Sequence, residues 1–223
     1  MNLLALDTST ETATVAVALG EQVFGKEQKA LSQHAQLLLP MISTLLAEAN
    51  LSFKQLDGIV FGRGPGSFTG LRIACSVAKA LAYAHDLPVF PVSSLAAIAH
   101  KAFQQEKELP LNTQVLALLD ARMQQVYYGY FSQEIKGEEG VAAAAQLPIF
   151  PDVPLLLAGV GWDNYIAELP SLIRARIVKQ AVVFPSAQAM LNLVQSGSIK
   201  SVTAEEALPV YIRNQVTQGE PRG

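Results

Sequence analysis

Residues 57–85 read DGIVFGRGPGSFTGLRIACSVAKALAYAH, an apolar run, a glycine- and proline-rich turn and a helical stretch in direct succession. Asp57–Gly62 reads as a buried strand, Thr69–His85 has helical periodicity, and Pro88–Val92 reads as a further strand. Toward the N-terminus, Leu3–Leu6, Thr14–Leu19 and Gln22–Lys26 are short β-compatible runs separated by a Thr/Ser-rich turn and by Gly20-Glu21, which predicts a strand meander. Between the meander and the buried strand, Gln33–Ala49 repeats Leu37, Leu38, Met41, Ile42, Leu45, Leu46 and Ala49 at spacings of three and four. That spacing predicts a helix, with Ser32 as its N-cap and a kink at Pro40. Ser93 or Ser94 caps a further helix to about Gln104. Strands alternating with helices place the chain in the α/β class.

Toward the C-terminus, the polar segment Gln104–Thr113 (QQEKELPLNT) reads as a linker and divides the chain into halves at 1–104 and 105–223. The second half restarts with an apolar strand, Val115–Asp120, and an alternating strand, Gln125–Ser132, which loosely repeats the strand, Asp, turn, strand opening of the first. Gly137–Ala145 (GEEGVAAAA) reads as a biased surface segment, Leu155–Ala158 and Ala181–Phe184 as strands, and Ser186–Gln195 as a helix. Leu208–Asn214 either returns to the first half or contacts another subunit, and the tail Gln215–Gly223 is polar and expected to fray.

The composition narrows the function. The 223 residues are 50% hydrophobic and 16% charged, with a mean hydropathy of +0.27, which describes a folded chain. A net charge of -3 and a pI near 5.6 argue against a free-standing nucleic-acid binder, so RNA contact is expected to need a partner's charge. The single Cys75 forms no intrachain disulfide and the N-terminus has no basic segment leading into a long apolar run, so the cytoplasm is expected. The longest apolar runs fall far short of the ~20 residues that span a bilayer.

Three segments carry candidate chemistry, each beside a plainer reading. Asp7-Thr8-Ser9-Thr10, at the end of a strand, suits either a hydrated Mg²⁺ or phosphate, or a turn whose side chains satisfy local backbone groups. Gly64, Gly66, Ser67 and Gly70, between strand and helix, suit either a phosphate cradle or a structural turn capped by Ser67 or Thr69; the Lys of a Walker A loop is missing. Asp120 either meets Asp7 across an interdomain cleft or pairs with Arg122, and Gly159-Val160-Gly161-Trp162 either approaches an adenosine or turns into a helix. Ala74, Ala78 and Ala82 recur every fourth residue and suit a close-packed core helix or a docking face. His34, His85 and His100 show no metal-pair spacing, and no nucleophile elbow occurs, so no nucleophile and no metal are assigned.

LLALDTSTETATVAV, HAQLLLPMISTLL, GRGPGSFTGLRIACSVAKALA, PVSSLAAIA, LLDARMQQVYYG and LPVYIR, in this order, resemble the bacterial TsaB (YeaZ) family along nearly the whole chain. The resemblance implies an actin-like, sugar-kinase-type (ASKHA) fold of two similar α/β halves. It implies a non-catalytic subunit in the formation of N6-threonylcarbamoyladenosine at position 37 of tRNA. It also implies pairing with the larger paralogous transferase TsaD, joined by the ATPase TsaE, with tRNA reached through the complex, a homodimer when alone, and ATP and metal held mainly by the partners. In the transferases a His pair holds a metal; the matching positions here are Ser94 and Ile98, which cannot. The family's docking helices map onto Leu37, Leu38, Met41 and Leu45 and onto Leu71, Ala74, Ala78 and Ala82, so Ala78→Arg is expected to abolish pairing and spare the fold. Asp7, Thr8, Ser9, Gly64, Gly66, Ser67, Asp120, Gly159 and Gly161 are then the remnants of nucleotide loops. An active ATPase or kinase using Asp7 and Asp120 is the alternative reading, and a peptidase a weaker one.

Overall fold

β1 (Leu3–Asp7) is buried at every position, and its neighbours explain why: β2 (Thr12–Leu19) pairs with it antiparallel and β4 (Gly58–Gly64) parallel. A central strand covered on both faces needs a continuous apolar run rather than alternation, and LLALD supplies one. β3 (Gln22–Lys29) and β5 (Val89–Ser93) complete a sheet of order β3-β2-β1-β4-β5. The outer strand β3 is mostly exposed and carries Lys26, Glu27 and Lys29, charges that discourage pairing with another chain at an open edge. The computed structural model describes residues 1–29, 33–149 and 152–212; Ser32 and the Gln215–Gly223 tail lie outside them.

The second sheet repeats the first strand for strand. β6 (Gln114–Asp120) is its centre, with β7 (Gln125–Phe131) and β8 (Gly137–Ala143) forming an antiparallel meander on one side and β9 (Leu155–Val160) and β10 (Ile177–Val182) adding parallel on the other. The order β10-β9-β6-β7-β8 therefore matches β5-β4-β1-β2-β3. The weak sequence echo between the halves extends to all five strands.

Helices fill three layers. α1 (His34–Glu48) and α2 (Phe68–His85) cover the outer face of the first sheet, α4 (Ser171–Arg176) packs on the outer face of the second, and α3 (Ser94–Gln105) and α5 (Ala187–Gln195) lie between the sheets. The inner pair is exchanged between the halves: α3 follows the first sheet in sequence but packs on β6, β7 and β9, and α5 follows the second but packs on β1, β2 and β4. Ser67 caps α2 by accepting from the Gly70 amide, and Ser93 caps α3 by accepting from the Ala96 amide. α1 begins after Gln33, which makes no side-chain cap, and runs through Pro40 as one helix.

Two readings of the sequence need correction. Gly137–Ala143 lies at the surface as expected but forms the edge strand β8; its lack of alternation hid the strand, and a Cβ at Gly137 would lie 1.8 Å from the Tyr130 carbonyl oxygen. β10 spans Ile177–Val182 rather than Ala181–Phe184, because the buried Val183 already belongs to the turn into the middle layer. The C-terminal residues from Val202 return to the first half: Val202 bridges the outer edge of β5 at Val89, and Ala207 is fully buried against α2.

Candidate functional site: the cleft and the outer helices

The end of β1 meets the start of α3 at Asp7, which is fully buried. Its Oδ1 accepts from the Ser9 amide at 2.8 Å and the Ser9 hydroxyl at 2.7 Å, and its Oδ2 accepts from the Ser94 hydroxyl at 3.0 Å. Gly62 closes the remaining side, where a Cβ would stand 1.7 Å from Oδ2. Burial pushes the Asp7 carboxyl above the usual carboxylate range, opposed by the Ser9 and Ser94 hydrogen bonds and by His34 nearby. Asp7 and Ser94 thus lock strand to helix inside the protein. Thr8 is buried too, its hydroxyl donating to the Gly70 carbonyl at 2.7 Å.

The glycine loop is fitted to the β1–β2 turn. A Cβ at Gly66 would lie 2.4 Å from the Ser9 carbonyl oxygen and one at Gly70 would lie 1.8 Å from that of Thr8. The Ser67 amide donates to Ser9 O at 2.7 Å, the Gly70 amide to Ser67 Oγ, and the Leu71 amide to Ser67 O. Three of the amides that a phosphate would need, those of Ser67, Gly70 and Leu71, are therefore already bonded within the chain, as a structural turn requires. Gly64, at φ 102°, packs against Leu71 and against the carbonyl of Val210 in the returning C-terminal segment.

Asp120 sits across a cleft of about 1170 Å³ that runs between the halves. The cleft is lined on one side by Ser9, Gly66 and Ser67 and on the other by Asp120, Arg122 and Gly161. Asp120 accepts from the Arg122 amide at 2.7 Å and from the Tyr165 hydroxyl at 3.0 Å, and its other oxygen is 3.6 Å from the Arg122 guanidinium. Asp7 and Asp120 therefore do not meet: one is sealed beneath the cleft, the other pairs locally at its wall. Gly159, at φ 129°, lets β9 approach the Leu118 carbonyl, and Gly161 packs on Asp120. Trp162 turns back into the outer core, its indole N–H on the Gly159 carbonyl at 3.0 Å. Ile98 is fully buried, and among the described residues no three His, Cys, Asp or Glu side chains group as a metal would need.

The expected docking stripe is also corrected. Leu38, Met41, Leu45, Leu71, Ala74, Ala78 and Ala82 are 3% exposed or less, and Leu37 is half-buried. They face β2 and β4, because an apolar stripe at spacings of three and four is the side a helix turns to its own sheet. Ala78→Arg would place a cation in the core. The exposed side includes Leu39, Ser43 and Ala47 on α1 and Ser76, Ala80 and Ala84 on α2. Glu48 and Arg72 are the exposed charged residues of the two helices. Tyr83, 77% exposed, stands near the end of α2. The C-terminal segment takes the first of its two alternatives: residues 202–211 form a strap on the first half, in which the Glu205 carbonyl accepts from Lys79 and Tyr211 from Arg72 along one flank of α2.

The comparisons follow this geometry. Residues 27–151 match the family described as "TsaD: tRNA N6-adenosine threonylcarbamoyltransferase". The tRNA threonylcarbamoyladenosine biosynthesis protein TsaB of Haemophilus influenzae is 35% identical, with 97% of this chain and 95% of that protein covered. The chain belongs to the TsaB family. TsaB of Escherichia coli is 32% identical over 97% of this chain and 96% of its own. The solved structure of YeaZ from Pseudomonas aeruginosa superposes with a TM-score of 0.84 at 37% identity, covering 94% of this chain and 99% of that one. TsaB membership and the two repeated sheets together make the fold the actin-like, sugar-kinase-type α/β fold. No helix among the described residues is long and apolar enough to cross a membrane.

Proposed function

We propose that this chain is a subunit required for N6-threonylcarbamoyladenosine formation at position 37 of tRNA, and that it works by pairing with a larger TsaD-like transferase rather than by transferring the group itself. Its place in this biosynthesis is supported by TsaB relatives aligned over nearly the whole chain. The observation that carries the non-catalytic reading is Asp7. An actin-like ATPase needs a carboxylate at its nucleotide, and here that carboxylate is enclosed by Ser9, Ser94 and Gly62. In this reading ATP and the metal belong to the partners, a TsaE-like ATPase joins the pair, and tRNA is reached through the complex in the cytoplasm. Pairing uses the outward face of α1 and α2, where small uncharged side chains let helices approach closely. The same face joins two copies when the larger partner is absent.

Ala80→Arg tests the face, because Ala80 is exposed and its substitution leaves the core untouched. Titration calorimetry with the transferase is expected to show affinity reduced by about a hundredfold, the size of a hot-spot loss, with an unchanged circular dichroism melt. Wild-type affinity would reject the outer helices as the interface.

A further inference from the structure

On another side of the molecule the halves enclose a second crevice, of about 510 Å³, lined by Arg63, Ser93, Lys136, Glu139, Ser198 and Lys200 among others. None of these residues belongs to the cleft between Ser9 and Asp120. Arg63 is placed there by a local device. The β4–β5 register shifts between Gly62 and Gly64, so Arg63 is the extra residue of a β-bulge, flanked by two glycines and fixed by the Val210 amide on its carbonyl at 2.7 Å. A bulge re-aims a side chain, and this one directs the guanidinium across the halves toward β8.

The charges there are unevenly matched. Arg63, Lys136 and Lys200 line the crevice with one carboxylate, Glu139, on a chain whose net charge is -3. The Arg63 and Glu139 side chains are only 29% and 15% exposed, yet their charged atoms stand 3.6 Å apart, beyond hydrogen-bond length. Lys136 is tied to Glu134, which lies outside the crevice, and Lys200 makes no ion pair among the described residues. Ser93 is committed to the Ala96 amide. A guanidinium largely removed from water, in a salt bridge longer than a hydrogen bond, retains N–H groups suited to an anion that presents paired oxygens.

We propose that this crevice binds a phosphate group, with Arg63 as the anchor, Lys200 and Lys136 as flanking cations, and Glu139 as an internal anion that yields its place. The phosphate is either a diester of an RNA backbone or a free phosphate. Only the RNA source rests on the tRNA-modification reading.

The test uses the full chain. Inorganic phosphate is titrated at constant ionic strength against chloride, followed by amide shifts in NMR, and an unmodified tRNA transcript is titrated by fluorescence anisotropy. Arg63→Lys keeps the charge but removes the paired donors, so phosphate binding is expected to weaken by about tenfold, the worth of one charge-assisted hydrogen bond. Glu139→Gln is expected to tighten binding by a similar factor, an effect that mere damage to the fold does not produce. If tRNA affinity follows the same two substitutions, the site takes an RNA phosphate; if only inorganic phosphate does, it takes a free one. The proposal fails if phosphate shifts no amide around Arg63 beyond what chloride does, or if Glu139→Gln leaves phosphate affinity unchanged. In either failure the role in tRNA modification stands, since it is measured separately by product formation.

Discussion

Asp7 shows how a side chain typical of a nucleotide site becomes a fastener. Its carboxyl titrates above the usual range because burial outweighs its hydrogen bonds, so the folded state holds the proton to higher pH than the unfolded chain does. The contribution to stability is then full below the unfolded carboxylate value and is lost as pH rises through the folded one. Asp7→Asn keeps an acceptor for Ser9 and removes that loss. Its melting temperature is expected to exceed wild type at pH 7 and to converge with it toward pH 4; a lower value at pH 7 would show that the ionised form is what the fold requires. Gly70 makes the complementary point about backbone. With the Thr8 carbonyl 1.8 Å from a Cβ, Gly70→Ala is expected to cost about 1–3 kcal/mol in urea denaturation through forced displacement of the turn.

The elements were more legible than their faces. Periodicity located α1, α2 and α3, and the glycine turn located β4, because these signals are local. The same periodicity left open whether α1 and α2 turned their apolar stripe to a sheet or to a partner, since both environments select the same side chains. Burial decides it: Leu38 is 0% and Leu39 52% exposed. Leu38→Ala is therefore expected to lose about 2–5 kcal/mol of stability and Leu39→Ala less than about 0.5 kcal/mol, as measured by denaturant titration. Equal costs would contradict the orientation of α1. β8 escaped the sequence, and the return of the C-terminal strap stayed one of two alternatives, because their reasons are remote. β8 exists because Tyr130 and Tyr128 offer it an edge, and the strap because α2 offers Cys75, Lys79 and Arg72. In the site, the Gly64, Gly66 and Gly70 spacing was visible, but not that Ser9 and Thr8 would occupy the space that Gly66 and Gly70 leave, or Leu71 and Val210 that of Gly64.

At the scale of the whole molecule, the exchange of α3 and α5 makes the two halves one object. Each half's sheet is closed by a helix whose chain position belongs to the other, so the cleft walls are held by a shared middle layer. Asp7, Thr8 and the Ser67, Gly70 and Leu71 amides are bound internally, while the exposed side of the outer helices, with Glu48 and Arg72 as its charged residues, is the surface that the proposed accessory role would use. The central claim, that this chain serves the modification without performing the transfer, is tested by an omission assay. Purified tRNA, threonine, bicarbonate, ATP and the pathway proteins are combined with and without this chain, and with this chain in place of the larger transferase, and modified adenosine is read by mass spectrometry. The account predicts product only when both proteins are present. Product formed without the transferase would make this chain an enzyme, and product unaffected by its omission would remove it from the pathway.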